Sequence, residues 1–114
     1  MKNWNRTTTV PVAILNDKIF CPTCNGSMIH SVEVKVWFRS EDEERVTFAH
    51  IMGTTVLVGR KNYDNPSPRQ SGIKIMFRCE WCHCDGLRPS HELIIYQHEG
   101  ETLTEMRCHI EDES

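Results

Sequence analysis

Two cysteine pairs with the same spacing constrain the fold of this chain more than any other feature. The sequence reads CPTC at Cys21–Cys24 and CEWC at Cys79–Cys82. A two-residue spacing lets a tight turn aim two thiolates at one ion, and two such turns complete a closed tetrahedral site. Four thiolates match the preferences of zinc, although iron accepts the same ligand set. The spacing therefore predicts a structural Zn²⁺ held by Cys21, Cys24, Cys79 and Cys82.

Two further cysteines leave alternatives open. Cys84 lies in CEWCHC and could replace Cys82 as a ligand, but the spacing from Cys79 favours Cys82. Cys108 lies in a predicted strand, and the simplest interpretation of either leftover thiol is a buried or ordinary surface residue. The first residues lack the apolar run of a signal peptide, and no segment approaches the roughly 18 apolar residues of a membrane span. We therefore expect a cytoplasmic chain whose cysteines are ligands or free thiols rather than disulfides.

The length of 114 residues is near the lower end of the roughly 100–200 residues typical of one domain. A hydrophobic content of 39% gives such a chain only a modest core, so a bound metal ion would help to stabilise the fold. Residues 25–78 separate the two cysteine pairs, and metal binding should contribute on the order of 10 kcal/mol to folding. We predict one domain over residues 1–114, with a flexible acidic tail at about 109–114.

Apolar alternation with period two indicates that most of the fold is strand. Ser31–Arg39 places Val32, Val34, Val36 and Phe38 on one face and leaves Trp37 among the polar side chains. Trp37 must then either cover a second layer of the fold or form an exposed patch. The other predicted strands are 45–52, 54–60, 73–78, 91–97 and 102–108, with an irregular loop at 61–72 and a short helical turn at 41–45. The predicted fold class is mostly β: zinc-ribbon knuckles with an inserted antiparallel sheet and little helix.

Charge segregates along the chain although the net charge is only −3. That net charge argues against a protein that coats nucleic acid through its overall charge. Acidic runs at 41–44 and 111–113 are typical of solvated turns or tails. Between residues 60 and 78, by contrast, Asp64 is the only acid among five basic side chains: Arg60, Lys61, Arg69, Lys74 and Arg78.

The segments NPSPRQSGIKIMFRCEWC and LIIYQHEGET resemble a family of small bacterial zinc-ribbon proteins, often carried on phages and mobile elements. Members share an early CxxC pair, an Asn-Pro-Ser segment with arginines, a strand ending in FxCExC and a closing QHKGxT turn. The resemblance spans Cys21 to Thr102 and implies a zinc-ribbon fold without implying an activity. Gln70 stands where the pattern often has a second arginine, and Glu99 stands where it often has lysine. The insert HCDGLRPS after Cys82 enlarges the following loop.

The first functional hypothesis is nucleic-acid recognition by the loop 60–69 and the second cysteine pair. Basic side chains supply phosphate contacts and aromatic rings supply stacking surfaces. A loop whose charges merely keep it hydrated is the alternative interpretation. The candidate nucleic-acid or partner-binding residues are Arg60, Lys61, Tyr63, Arg69, Lys74, Trp81 and His98.

The second hypothesis is a protein-binding adaptor, or an inhibitor of a host or phage machine, whose acidic runs imitate phosphates and whose tryptophans anchor an interface. An enzyme is the least favoured class, because four cysteines close the zinc coordination sphere and no HExxH, phosphate loop or nucleophile elbow occurs. A His-Asn-His nuclease using His50 and Asn62 would need a ββα pattern that is missing. We expect a non-enzymatic module that does not associate with a membrane and has no small-molecule substrate.

Overall fold

The computed structural model describes residues 7–10, 12, 14–22, 24–40, 43–60, 62, 64–80 and 91–109. Nine strands occur among these residues: β1 Thr7–Val10, β2 Ile14–Leu15, β3 Lys18–Ile19, β4 Ile29–Phe38, β5 Thr47–Met52, β6 Thr55–Gly59, β7 Gly72–Cys79, β8 His91–His98 and β9 Glu101–His109. No helix occurs in the described parts of the chain, and residues 43–45 of the expected helical turn are irregular. The predicted mostly β fold is confirmed.

Seven strands form one antiparallel sheet in the order β1-β9-β8-β7-β4-β5-β6, while β2 and β3 form a separate hairpin. Strands β4 to β6 lie in the chain between the two cysteine pairs and β7 ends at Cys79 of the second pair, as the inserted-sheet prediction requires. The sheet ends at β6 on one side and at β1 on the other. The strand β9 extends through His109, and residues 110–114 of the predicted acidic tail lie outside the described residues.

Tight turns join the hairpins and explain why the chain reverses where it does. Asn16 and Asp17 both have positive φ between β2 and β3, as do Glu99 and Gly100 between β8 and β9. Positive φ at both central residues is the requirement of the type I′ turn, whose twist matches that of the flanking strands. Gly53, at φ 61°, supplies the same freedom between β5 and β6.

Burial at the end of β4 does not follow the apolar alternation of its sequence. Trp37 is 1% exposed, whereas Phe38 at the end of β4 is 61% exposed. In the register, Trp37 lies opposite Phe48 on one side and Gly72 on the other, while Phe38 lies opposite Thr47 in β5. Trp37 therefore belongs to a covered layer, and Phe38 lies beyond the last residue of β4 that pairs with β7.

The loop between β6 and β7 covers the Trp37 side of the sheet. Ser67 in this loop is fully buried; its hydroxyl donates to the Gln97 carbonyl at 2.7 Å and accepts from the Gln70 amide at 3.0 Å. Asn65 and Pro66 pack so closely against Gly72 that a Cβ there would lie 2.5 Å from Asn65 Oδ1. These contacts hold the loop against β7 and β8.

Apolar side chains also fill the other side of the sheet around β8. Leu93 and Met106 are buried there and face each other across β8 and β9. None of the described residues forms a helix long and apolar enough to cross a membrane.

Candidate metal centre and neighbouring surfaces

The first cysteine pair lies in a compact turn that precedes β4. The amide of Cys21 donates to the Gly26 carbonyl at 2.8 Å, and the amide of Asn25 donates to the Cys21 carbonyl at 2.8 Å. Asn25 has a positive φ of 62°, a conformation that asparagine adopts more readily than most residues. The turn therefore folds back on Cys21 and positions the two thiols next to the start of the sheet.

Pairing between β4 and β7 brings the second cysteine pair to this turn. Ile29 at the start of β4 lies opposite Cys79 at the end of β7, and the Glu80 amide donates to the Met28 carbonyl at 2.9 Å. Antiparallel strands place the beginning of one beside the end of the other. The inserted strands thus return the chain to the first turn, although 55 positions separate Cys24 from Cys79.

Three thiols meet at this end of the sheet. The Sγ atoms of Cys21, Cys24 and Cys79 all lie within 4.8 Å of one another, and those of Cys24 and Cys79 are 3.5 Å apart. Zn–S bonds of about 2.3 Å in a tetrahedron separate the sulfurs by about 3.8 Å, so the spacing fits a metal ion. Cys21 and Cys79 are buried and Cys24 is exposed. The cluster is therefore close enough to hold a metal.

Of the three remaining cysteines, only Cys108 lies within the described residues. Cys82, the predicted fourth ligand, and its alternative Cys84 lie outside the described residues. Cys108 lies in β9, where its backbone pairs opposite His91 and Thr8. Three of the four predicted ligands are therefore together, and the choice between Cys82 and Cys84 stays a prediction.

A histidine that sequence reasoning missed contacts this cluster. His91, the first residue of β8, is 3% exposed, and its Nε2 lies 3.2 Å from the Sγ of Cys21. No spacing rule connects the two, since 70 positions separate them. The alternation in HELII could have pointed to His91, because it occupies a position on the same face as Leu93, where an apolar side chain is expected.

The predicted binding residues divide into three groups. Arg60, Arg69 and His98 are exposed, and His98 Nε2 lies 3.8 Å from Glu99 Oε1. Lys74, by contrast, is 7% exposed, and its ammonium lies 3.1 Å from Asp64 Oδ1. Lys74 is therefore less accessible to an incoming phosphate than the two arginines are. Three of the predicted residues lie outside the described part of the chain: Lys61, Tyr63 and Trp81.

One recess is lined by two of the exposed basic residues, and a second is lined by the strand that precedes Arg60. Arg69 and His98 line the same small crevice, together with Ser67 and Gln97. A larger cavity of about 320 Å³ lies on the Trp37 face beside the strand end that leads to Arg60. Its lining residues are Lys35, Trp37, Phe48, His50, Leu57, Val58, Gly59 and Asp64.

The residues of the nuclease alternative have separate partners. His50 Nε2 lies 2.8 Å from Glu33 Oε2, so this imidazole is paired across β4 and β5. The Asn62 side chain accepts a hydrogen bond from Asn65 at 3.0 Å and belongs to the loop between β6 and β7. The two residues therefore contribute to different local structures.

Comparisons with protein-family models, with curated proteins and with solved structures give no match for this chain.

Proposed function

We propose that this chain is a zinc-stabilised, non-enzymatic β module of the reducing cytoplasm that binds nucleic acid. The cluster of Cys21, Cys24 and Cys79 carries the metal part of the proposal. Soft thiolates match structural zinc, no carboxylate joins the three cysteines in the cluster among the described residues, and Cys82 would complete the tetrahedron. In this role the ion stabilises the fold by joining the first turn to the end of β7.

The loop between β6 and β7 supports the nucleic-acid part. Arg60 and Arg69 are exposed at its two ends, and Ser67 anchors its middle to β8. Asp64, the acid of this stretch, lies between two ammonium groups: 3.1 Å from Lys74 and 3.7 Å from Lys35. These lysines offset the charge of Asp64, and Arg60 and Arg69 are exposed cations of the same loop. Cationic side chains on a fixed loop suit contacts with phosphates.

The cavity lined by the end of β6, the strand that precedes Arg60, suits an unstacked base more than a phosphate. Phe48 and Leu57 give it apolar walls, and Trp37 lies at its buried side. Lys35 and Asp64 place a donor and an acceptor at its edge. Single-stranded nucleic acid is typically bound by basic side chains near apolar or aromatic surfaces that take the bases. We therefore propose single-stranded nucleic acid as the first ligand to test.

The test is binding of labelled single- and double-stranded oligonucleotides by fluorescence anisotropy at low and physiological salt. We expect binding at low salt that weakens as salt rises, because released counterions drive the association. The double variant R60Q/R69Q should bind several-fold more weakly. Arg45, which is also exposed but lies near Glu43 at another crevice, provides the matched control R45Q. No binding at low salt, or an equal loss in R45Q, would refute the proposal.

An exposed apolar surface favours protein binding as the second candidate function. Ile51, Val56 and Val58 lie on one face of β5 and β6, and Val58 is 73% exposed. Among the described strands β6 is also at the edge of the sheet, where its outer backbone groups could pair with a strand of another protein. A partner protein whose binding is lost in V56K/V58K and kept in R60Q/R69Q would favour this function over the first.

A further inference from the structure

We infer that His91 belongs to the metal centre as a positioning residue, donating a hydrogen bond from Nε2 to the thiolate of Cys21. This inference rests on the proposed metal-binding function. It assigns to a histidine of β8 a role in a site whose other described members come from the first turn and from β7.

The contact has the geometry of a hydrogen bond to sulfur in a place that excludes water. Nε2 and Sγ are 3.2 Å apart, His91 is 3% exposed and Cys21 is 1% exposed. A cysteine that ligates a cation does so as a thiolate, which has no proton to give. The imidazole must then be the donor, and the tautomer with hydrogen on Nε2 is the one that fits.

The same geometry argues that His91 acts through Cys21 rather than on the ion itself. Among the described residues, the donor atoms that all lie within 4.8 Å of one another belong to the three cysteines and not to the imidazole. Zn–N and Zn–S bonds of about 2.0–2.3 Å would bring every pair of ligand atoms to within about 3.8 Å. His91 therefore contacts the sulfur of Cys21 and is not itself a ligand of the ion.

The position of His91 in the sheet holds its backbone in place. It is the first residue of β8 and pairs with Phe77 of β7 on one side and with Cys108 of β9 on the other. A residue paired on both sides has little freedom to move away from its neighbour. The sheet thus presents the imidazole to Cys21 without a large ordering cost on metal binding.

A hydrogen bond to this sulfur lowers the free-energy cost of burying a negatively charged metal centre. The three described thiolates already carry more negative charge than one Zn²⁺ neutralises, and burying that excess charge is costly unless donors face the sulfurs. Loss of such outer donors typically weakens metal binding by about 10–100-fold. We expect His91 to contribute an effect of this size.

The test compares zinc affinity of the full chain with that of H91L and H91Q, measured by competition with a chromophoric chelator. H91L removes the donor and should bind zinc about 10–100-fold more weakly. H91Q retains an N–H donor and should recover part of the loss. Leu93, buried two residues along on the same face of β8, provides the packing control L93A, which should retain zinc affinity close to that of the unaltered chain.

Spectra of the metal-substituted proteins separate a positioning role from direct ligation. With Co²⁺, H91L should retain the ligand-field bands and the sulfur charge-transfer intensity of the unaltered chain, because the ligand set is unchanged. In the unaltered chain loaded with ¹¹³Cd, NMR should show a protonated Nε2 on His91 and a cadmium shift typical of sulfur ligands. This second measurement does not depend on the folding of any variant.

Three results would overturn the inference. H91L could bind zinc as tightly as the unaltered chain, L93A could lose as much affinity as H91L, or the ¹¹³Cd spectrum could show nitrogen bound to the metal. The last result would make His91 a ligand and would leave the proposed metal function intact. A chain that binds no stoichiometric metal at all would instead refute the proposed function and this inference together.

Discussion

Gly72 shows how closely the β6–β7 loop packs on the sheet. A Cβ at this position would lie 2.5 Å from Asn65 Oδ1 and 2.6 Å from Pro66 Cγ. We predict that Gly72→Ala lowers the free energy of unfolding by about 1–3 kcal/mol, because the loop must move away from β7 to admit the methyl group. Urea unfolding followed by circular dichroism measures the change.

Gly59 provides the matched control for this substitution. It also lies in a strand, but a Cβ added there meets nothing within 4 Å. We expect Gly59→Ala to change the free energy of unfolding by less than about 0.5 kcal/mol, because the added methyl group meets no neighbour. An equal loss in both variants would show that strand glycines matter for some reason other than contact with the loop.

At the scale of elements, Ser67 connects the β6–β7 loop to β8. We predict that Ser67→Ala costs about 1–3 kcal/mol of stability, because the Gln97 carbonyl and the Gln70 amide lose their shared partner. It should also weaken oligonucleotide binding, since Arg69 follows in the same loop. Urea unfolding and anisotropy measure the two effects.

The exposed Ser40 provides a control, because S40A should change neither the free energy of unfolding nor oligonucleotide binding. Unaltered oligonucleotide binding by S67A would contradict the proposed role of the loop.

The strands could be predicted from the sequence because their signals are local. Apolar alternation and turn residues place β7 at 73–78 and β8 at 91–97, and the structure has Gly72–Cys79 and His91–His98. The same local signal does not predict the burial of Trp37 and Phe38. Burial there depends on where β7 stops pairing with β4 and on the β6–β7 loop, which covers one face of the sheet. Alternation assigns residues to faces and leaves open which face is covered.

The candidate site could be predicted only where spacing repeats. Cys21, Cys24 and Cys79 were identifiable from the two CxxC pairs, and the structure brings their sulfurs together. His91 could not be assigned in this way, because its contact with Cys21 arises from strand pairing. The burial of Lys74 against Asp64 is likewise a tertiary effect, since Lys74 and Arg60 look alike as basic residues in one stretch.

At the scale of the whole molecule, the proposed metal centre connects parts of the chain that are far apart in sequence. The cluster joins the turn before β4 to the end of β7, and His91 connects it to β8. Metal binding that requires this arrangement stabilises the folded state directly, on the order of 10 kcal/mol in small zinc domains. Removing the ion should therefore affect the entire sheet and not the first turn alone.

The most direct measurement determines metal content and unfolding together, on the unaltered chain and on C21S/C79S, under reducing conditions. We predict one zinc per unaltered chain, a large loss of stability on chelation, and a C21S/C79S variant that holds no zinc and does not respond to the chelator. Purified chain without stoichiometric metal, with an unfolding transition that is the same in the double variant, would contradict the account.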